Sequence, residues 1–263
     1  MSNNVKKLIL IDHDGTLCQT NPFAYESIKY ATTDIINKLN LTTNISASDW
    51  DEIFCNTMGT TEKNLARSIS NILGIGMDDF DMWFYSSRAN WYRSMQGKSE
   101  FIFDTYYSDA EYLIGELFND PTNKIMMVTG NPEEVMNIRL SRHMKKYFCD
   151  EKDDILGGFG DECYTRQELI INAIADAKRL FGFIPMKNNS GFCDNVFYIG
   201  DGYNDFKAGI TARVKTIWIP SRSLPAVREK VGNEHIKLLL DVLDNNVMVT
   251  NNLESKEVCD FVL

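Results

Sequence analysis

Apolar and polar positions fall in alternating blocks along this chain. Apolar runs at Lys7–Ile11, Lys124–Thr129, Asn195–Gly200 and Lys215–Pro220 are strand-length and rich in β-branched or aromatic residues. Each stops at a polar or glycine-bearing turn, and helical patterns such as Ala110–Phe118 and Phe206–Ala212 lie between them. Strands alternating with helices predict right-handed β-α-β units. The expected fold class is therefore α/β, with a Rossmann-like parallel sheet covered by helices on both faces. Between the first two strands the period changes. From Asn21 to about Tyr106 there are helix signals and no convincing strand. Phe23, Ile28, Ala31, Ile35, Ile36 and Leu39 recur at helical spacing after Pro22. Thr60-Thr61-Glu62-Lys63 reads as the capped start of a helix carrying Leu65, Ile69, Ile72 and Leu73 and ending at Gly74. Asp78–Met95 carries an aromatic stripe, Phe80, Trp83, Phe84, Trp91 and Tyr92, expected to be core. Residues 18–106 thus read as an inserted helical domain, and residues 1–17 and 107–263 as the sheet-bearing domain.

Polar residues gather where the strands stop. The first strand ends in Asp12-His13-Asp14-Gly15-Thr16. In extended backbone, carboxylates two residues apart share a side, and their repulsion calls for a cation or a shared proton. Gly15 permits a sharp turn and close approach to a ligand. The second strand runs into Thr129-Gly130-Asn131-Pro132, a hydroxyl followed by the start of a helix. That hydroxyl and the helix's free N–H groups can donate to a phosphate. A later strand ends in Gly200-Asp201-Gly202-Tyr203-Asn204-Asp205, a second acidic cluster. If these strands are neighbours, Asp12, Asp14 and Asp201 supply oxygens for a hard cation. Asp205 also suits an Asx-turn that opens the next helix.

Charge and composition narrow the function classes. A net charge of −10 over 263 residues disfavours polymeric nucleic acid or anionic membrane as partner. No apolar run approaches the ~18 residues that span a bilayer. The apolar stretch after Lys6 and Lys7 is only a strand long and lacks a small-residue cleavage site, so no signal peptide is expected. The six cysteines are scattered without metal-binding spacing, which fits free thiols and a cytoplasmic location. No G-x-x-x-x-G-K-[ST] occurs, which excludes a P-loop kinase.

Taken in order, Asp12-His13-Asp14-Gly15-Thr16, Thr129-Gly130-Asn131 and Gly200-Asp201 through Asp205 resemble the haloacid dehalogenase (HAD) superfamily of phosphohydrolases. The resemblance extends over roughly Val5 to Asp244. The helical insertion resembles that superfamily's C1-type cap domain, matching it in size and helical character. The stretches Lys146-Tyr147-Phe148, Ile155 through Gly160 and Arg166-Gln167-Glu168-Leu169-Ile170 resemble its phosphoglycolate-phosphatase-like branch. This implies a nucleophile, Asp12, that forms an aspartyl-phosphate, and a general acid–base, Asp14. It implies Mg2+ held by Asp12, the Asp14 carbonyl and Asp201. It further implies a phosphoryl cradle of Thr129, Gly130 and Asn131, with Asp205 orienting a metal-bound water or backbone groups. A phosphate-clamping cation is also implied. Arg166, Lys178 and Lys187 are the candidates, and Arg166, which starts a helix at the usual family position, is preferred. His13 departs from the family pattern and is expected to point away from both aspartates, into packing. The implied substrate is a small phosphorylated metabolite. A phosphotransferase or sugar-phosphate mutase of the same fold, or a catalytically silent phosphate-binding module, are the alternatives. The tail from Val247 to Leu263 carries no expected role.

Overall fold

In a computed structural model, which describes residues 5–57, 59–98, 104–222 and 246–262, the first strand, β1 (Lys7–Ile11), lies inside a fully parallel sheet. Its hydrogen-bonded neighbours are β2 (Asn123–Val128) on one side and β4 (Cys193–Gly200) on the other. The sheet continues through β3 (Gly157–Gly158) at one edge, and through β5 (Val214–Trp218) and β6 (Val247–Val249) at the other. Register is the feature that matters for function. Ile11 lies opposite Met127 of β2 and Ile199 of β4, so Asp12, Thr129 and Asp201 all emerge at the same sheet edge. This is the carboxyl edge of a parallel sheet, where α/β proteins place their ligands.

Both faces of β1 are covered, as its unbroken apolar run requires. Ile9 and Ile11 pack with Leu113 and Leu117 of a helix over Ser108–Asn119, and with Val258 and Val262 of the C-terminal helix over Lys256–Val262. Leu8 and Leu10 face the other way, onto Leu169, Ala173 and Ala177 of the helix over Arg166–Phe181. The tail thus closes one face of the core, and Val262 accepts a hydrogen bond from Lys7 Nζ at 2.7 Å. Strands β3 and β6 add to the four runs legible in the sequence. One is two glycines, and the other is three residues long.

The stretch between β1 and the Ser108–Asn119 helix forms α1 (Ala24–Lys38), α2 (Ala47–Thr57), α3 (Glu62–Leu73) and α4 (Met77–Met95). They bury a core of their own, including Ile28, Ile35, Trp50, Ile53, Leu65, Ile69, Phe80 and Phe84. Of the aromatic stripe on α4, Phe80, Phe84, Trp91 and Tyr92 are buried, whereas Trp83 is exposed. Thr61 caps α3 by accepting the Asn64 N–H, which satisfies one of the helix's orphan donors. The chain leaves and re-enters the sheet domain side by side. Gln19 N–H donates to Thr105 O at 2.9 Å, and Tyr107 N–H donates to Leu17 O at 2.9 Å.

Candidate active site

Asp12 is the first residue past β1, and its N–H still bonds Ile199 O at 2.9 Å, which fixes its backbone to the sheet edge. Its buried carboxylate accepts from Arg166 Nη1 at 2.9 Å. Arg166 opens the helix over Arg166–Phe181, and a reciprocal capping box between Thr165 and Glu168 sets where that helix begins. The same Nη1 reaches Asp205 Oδ1 at 2.5 Å and Tyr198 Oη at 3.3 Å. Asp205 in turn accepts the Gly202 N–H at 2.9 Å, so it both caps its own helix and holds the arginine. Asp201 accepts from Thr16 Oγ1 at 3.2 Å, while its carbonyl takes the Trp218 indole N–H at 2.8 Å. Gly15 sits at φ +82° with its α-carbon against the Asp201 carboxylate, where a Cβ would come within 2.5 Å. Only glycine fits that turn.

Asp12, Asp201 and Asp205 can each offer one oxygen within 4.8 Å of the others. Their electrostatics follow. Burial raises the Asp12 carboxyl well above the usual carboxylate range against the pull of Arg166, and the charges of Asp205 and Asp201 add to the rise. Burial and the Asp205 charge push Asp201 up to about 7. Arg166 pairs with Asp12 and Asp205, and its charge also acts on Asp201. An all-oxygen donor set with surplus negative charge fits a hard divalent cation such as Mg2+.

Asp14 stands apart from this trio. Strand β1 ends at Ile11, so strict alternation no longer governs residue 14, and Asp14 groups with His13, Cys18 and Asp104. The Asp14 carboxylate accepts a fork from Arg139, Nη2 to Oδ1 at 2.6 Å and Nη1 to Oδ2 at 3.0 Å. Asn131 Nδ2 donates to it at 2.6 Å, and the Asn21 N–H at 3.3 Å. Burial acts to raise its pKa, but the Arg139 charge, the neighbouring His13 and the Arg139 fork win and hold it well below the usual carboxylate range. The expected proton-carrying role of Asp14 runs against this pull. His13 is corrected. It is fully buried, but instead of pointing away it flanks Asp14, with Nδ1 at 3.8 Å from Asp14 Oδ1 and Nε2 at 3.4 Å from Asp104 Oδ2.

Thr129 is buried at the end of β2, and its hydroxyl accepts from the Asn131 N–H at 3.2 Å and Nδ2 at 3.0 Å. The Gly130 carbonyl accepts the Glu62 N–H of α3 at 2.8 Å, so the helical insertion is seated on this loop. Gly59, just before α3, accepts from Arg166 Nε at 2.9 Å. A cavity of about 300 Å³ opens beside Arg166, lined by Gly59, Thr60, Tyr164, Asn204 and Lys207 among others. Lys178 and Lys187 are exposed and take no part in the site.

Two residues behind the site escaped sequence reasoning, Arg139 and Asp104. Arg139 follows the buried Val135 and Met136 at helical spacing, which placed it on the core-facing side of its helix (Glu133–Arg139). That was a usable signal. Asp104 lies in the returning linker and carried none.

No protein-family model matches the chain, and no curated protein matches it by sequence. Solved structures do match. An HAD hydrolase, family IA, variant 3, from Entamoeba histolytica is 18% identical, with 97% of this chain and 99% of that chain covered and a TM-score of 0.58. A predicted phosphatase from Clostridium acetobutylicum is 18% identical over 89% and 99% of the two chains, with a TM-score of 0.52. CbbY from Rhodobacter sphaeroides, in complex with phosphate, is 15% identical over 81% and 85%, with a TM-score of 0.51. The chain therefore has the α/β fold of HAD-type hydrolases.

Proposed function

We propose that this protein is a phosphohydrolase that cleaves a small phosphomonoester through an aspartyl-phosphate on Asp12. The observation that carries this reading is the Asp12 carboxylate, held by Arg166 at 2.9 Å beside Asp201 and Asp205 and at the same sheet edge as Thr129. The likeness of fold to hydrolases, one of them in complex with phosphate, supports it.

In the first step an Asp12 oxygen attacks phosphorus in line, the bond from phosphorus to the ester oxygen breaks, and the departing oxygen takes a proton from Asp14. In the second step Asp14 takes a proton from water, whose oxygen attacks the acyl phosphate and returns Asp12 as carboxylate. The proton gained in the second step serves the next first step, against the pull of Arg139. Thr129, the N–H groups beside Gly130 and Asn131, and Arg166 hold the phosphoryl oxygens, which is mostly positioning and electrostatic work. Asp12, Asp201 and Asp205 would supply side-chain oxygens for Mg2+, and the Asp14 carbonyl a further one; the ion would neutralise charge on the phosphoryl oxygens. The four-helix insertion acts as the cap, seated on Gly130 and linked to Arg166 through Gly59.

The test is phosphate release from 4-nitrophenyl phosphate, with Mg2+ and with a chelator. Turnover that needs the ion and disappears in folded Asp12→Asn is expected. Undiminished turnover in Asp12→Asn would end this reading.

A further inference from the structure

Arg139 lies behind the site, not in it. Its side chain is fully buried, while the Asp14 side chain that it grips is 24% exposed. The grip is bidentate, one guanidinium N–H to each carboxylate oxygen, which fixes rotation of the carboxylate as a single contact could not. Arg139 is itself held by Asp104, which accepts from Nε at 3.2 Å and from Nη2 at 2.6 Å. Asp104 belongs to the linker by which the chain returns from the four-helix insertion. Asn21, whose N–H also reaches Asp14, lies on the outgoing side. His13 fills the space between, edge-on to Tyr106 of the same returning linker at 6.3 Å between ring centroids.

We propose that Arg139 is a positioning residue for Asp14, aiming its carboxylate into the cleft and tying that aim, through Asp104, to the linker of the helical insertion. The proposal rests on the phosphohydrolase reading and adds to it a residue outside the three strand-end clusters. A buried arginine between two buried or half-buried aspartates could equally serve folding alone, and the two roles predict different kinetics. Proton delivery by Asp14 matters for an alkoxide leaving group and little for a nitrophenolate, which departs without a proton. Arg139→Lys keeps the charge but cannot form the fork.

The experiment compares the unmutated protein, Arg139→Lys and Asp104→Asn on an alkyl phosphate (glycerol phosphate) and on 4-nitrophenyl phosphate, with Mg2+ present. Asp104→Asn is close in shape and serves if the arginine variant does not fold. The expected result is a kcat/KM on the alkyl ester, which reads the chemistry only as far as departure of the leaving group, lower by roughly 10- to 100-fold, the scale set by a misplaced catalytic group. The kcat/KM on the aryl ester should fall by less than about 3-fold, a small fraction of what proton delivery contributes. Equal fractional losses on both esters, or no loss on either, would overturn the positioning role while leaving the phosphohydrolase reading intact. No turnover of either ester by the unmutated protein would remove that reading, and this inference with it.

Discussion

Replacing Arg166 with methionine removes the guanidinium that Asp12 and Asp205 share. The arginine side chain is 10% exposed and its partners 2% and 3%, so solvent screens the interaction little. Breaking a buried pair from one side costs about 3–5 kcal/mol, because the charge left behind is uncompensated. Against a total stability of about 5–15 kcal/mol this is large, and for a chain of this size it lowers Tm by roughly 6–20 °C. The loss should grow with pH, since protonation of Asp12, whose pKa burial already raises, relieves part of it. Mg2+ should restore more stability to Arg166→Met than to the unmutated protein, because the variant leaves Asp12 and Asp205 without the guanidinium they share. Arg166→Lys should keep most of the stability. One ammonium cannot serve both carboxylates and also the Gly59 carbonyl now bonded by Nε at 2.9 Å, so its turnover should still fall. Thermal unfolding with and without Mg2+, alongside phosphate release, measures all of this. An Arg166→Met protein that unfolds at the unmutated temperature and ignores Mg2+ would refute the reasoning.

Three further outcomes follow from the same geometry. In Gly130→Ala the new methyl would meet the Thr60 carbonyl at 2.4 Å and push α3 off the loop; overpacking of this kind costs about 1–3 kcal/mol, and a raised KM with lower Tm is expected. Thr129→Val keeps the shape but removes the acceptor for both Asn131 donors, so kcat should drop by at least about 10-fold while stability changes by only about 1 kcal/mol, read by kinetics and denaturant titration. Asp201 is pushed up to about 7 from an ordinary 3.8, so its contribution to stability is present below 3.8 and lost as pH rises through 7. The Tm gain from Mg2+ should therefore be larger above pH 7 than near 4, and a gain independent of pH in thermal scans would contradict it.

Much of the site was legible because parallel strands end at one edge. Once Asp12, Thr129 and Asp201 each followed an apolar run, register alone sufficed to bring them together. Arg166 was legible through its place at a helix start, where the family resemblance puts the clamping cation. What stayed hidden depends on tertiary packing. The alternation rule ran out at Ile11, so nothing local said that Asp14 and His13 would turn toward Arg139 and Asp104. Strand β3 is a pair of glycines with no apolar signal, and β6 with the terminal helix gains meaning only from the sheet face it covers.

The central claim is that Asp12 carries the phosphoryl group. Acid quenching of the protein during turnover of a phosphomonoester with Mg2+, followed by peptide mass spectrometry, addresses it directly. The account predicts one phosphoryl group on the peptide containing Asp12, stable in acid, removed by hydroxylamine as an acyl phosphate must be, and missing in Asp12→Asn. Turnover with no adduct on that peptide, or an adduct on another residue, would contradict it.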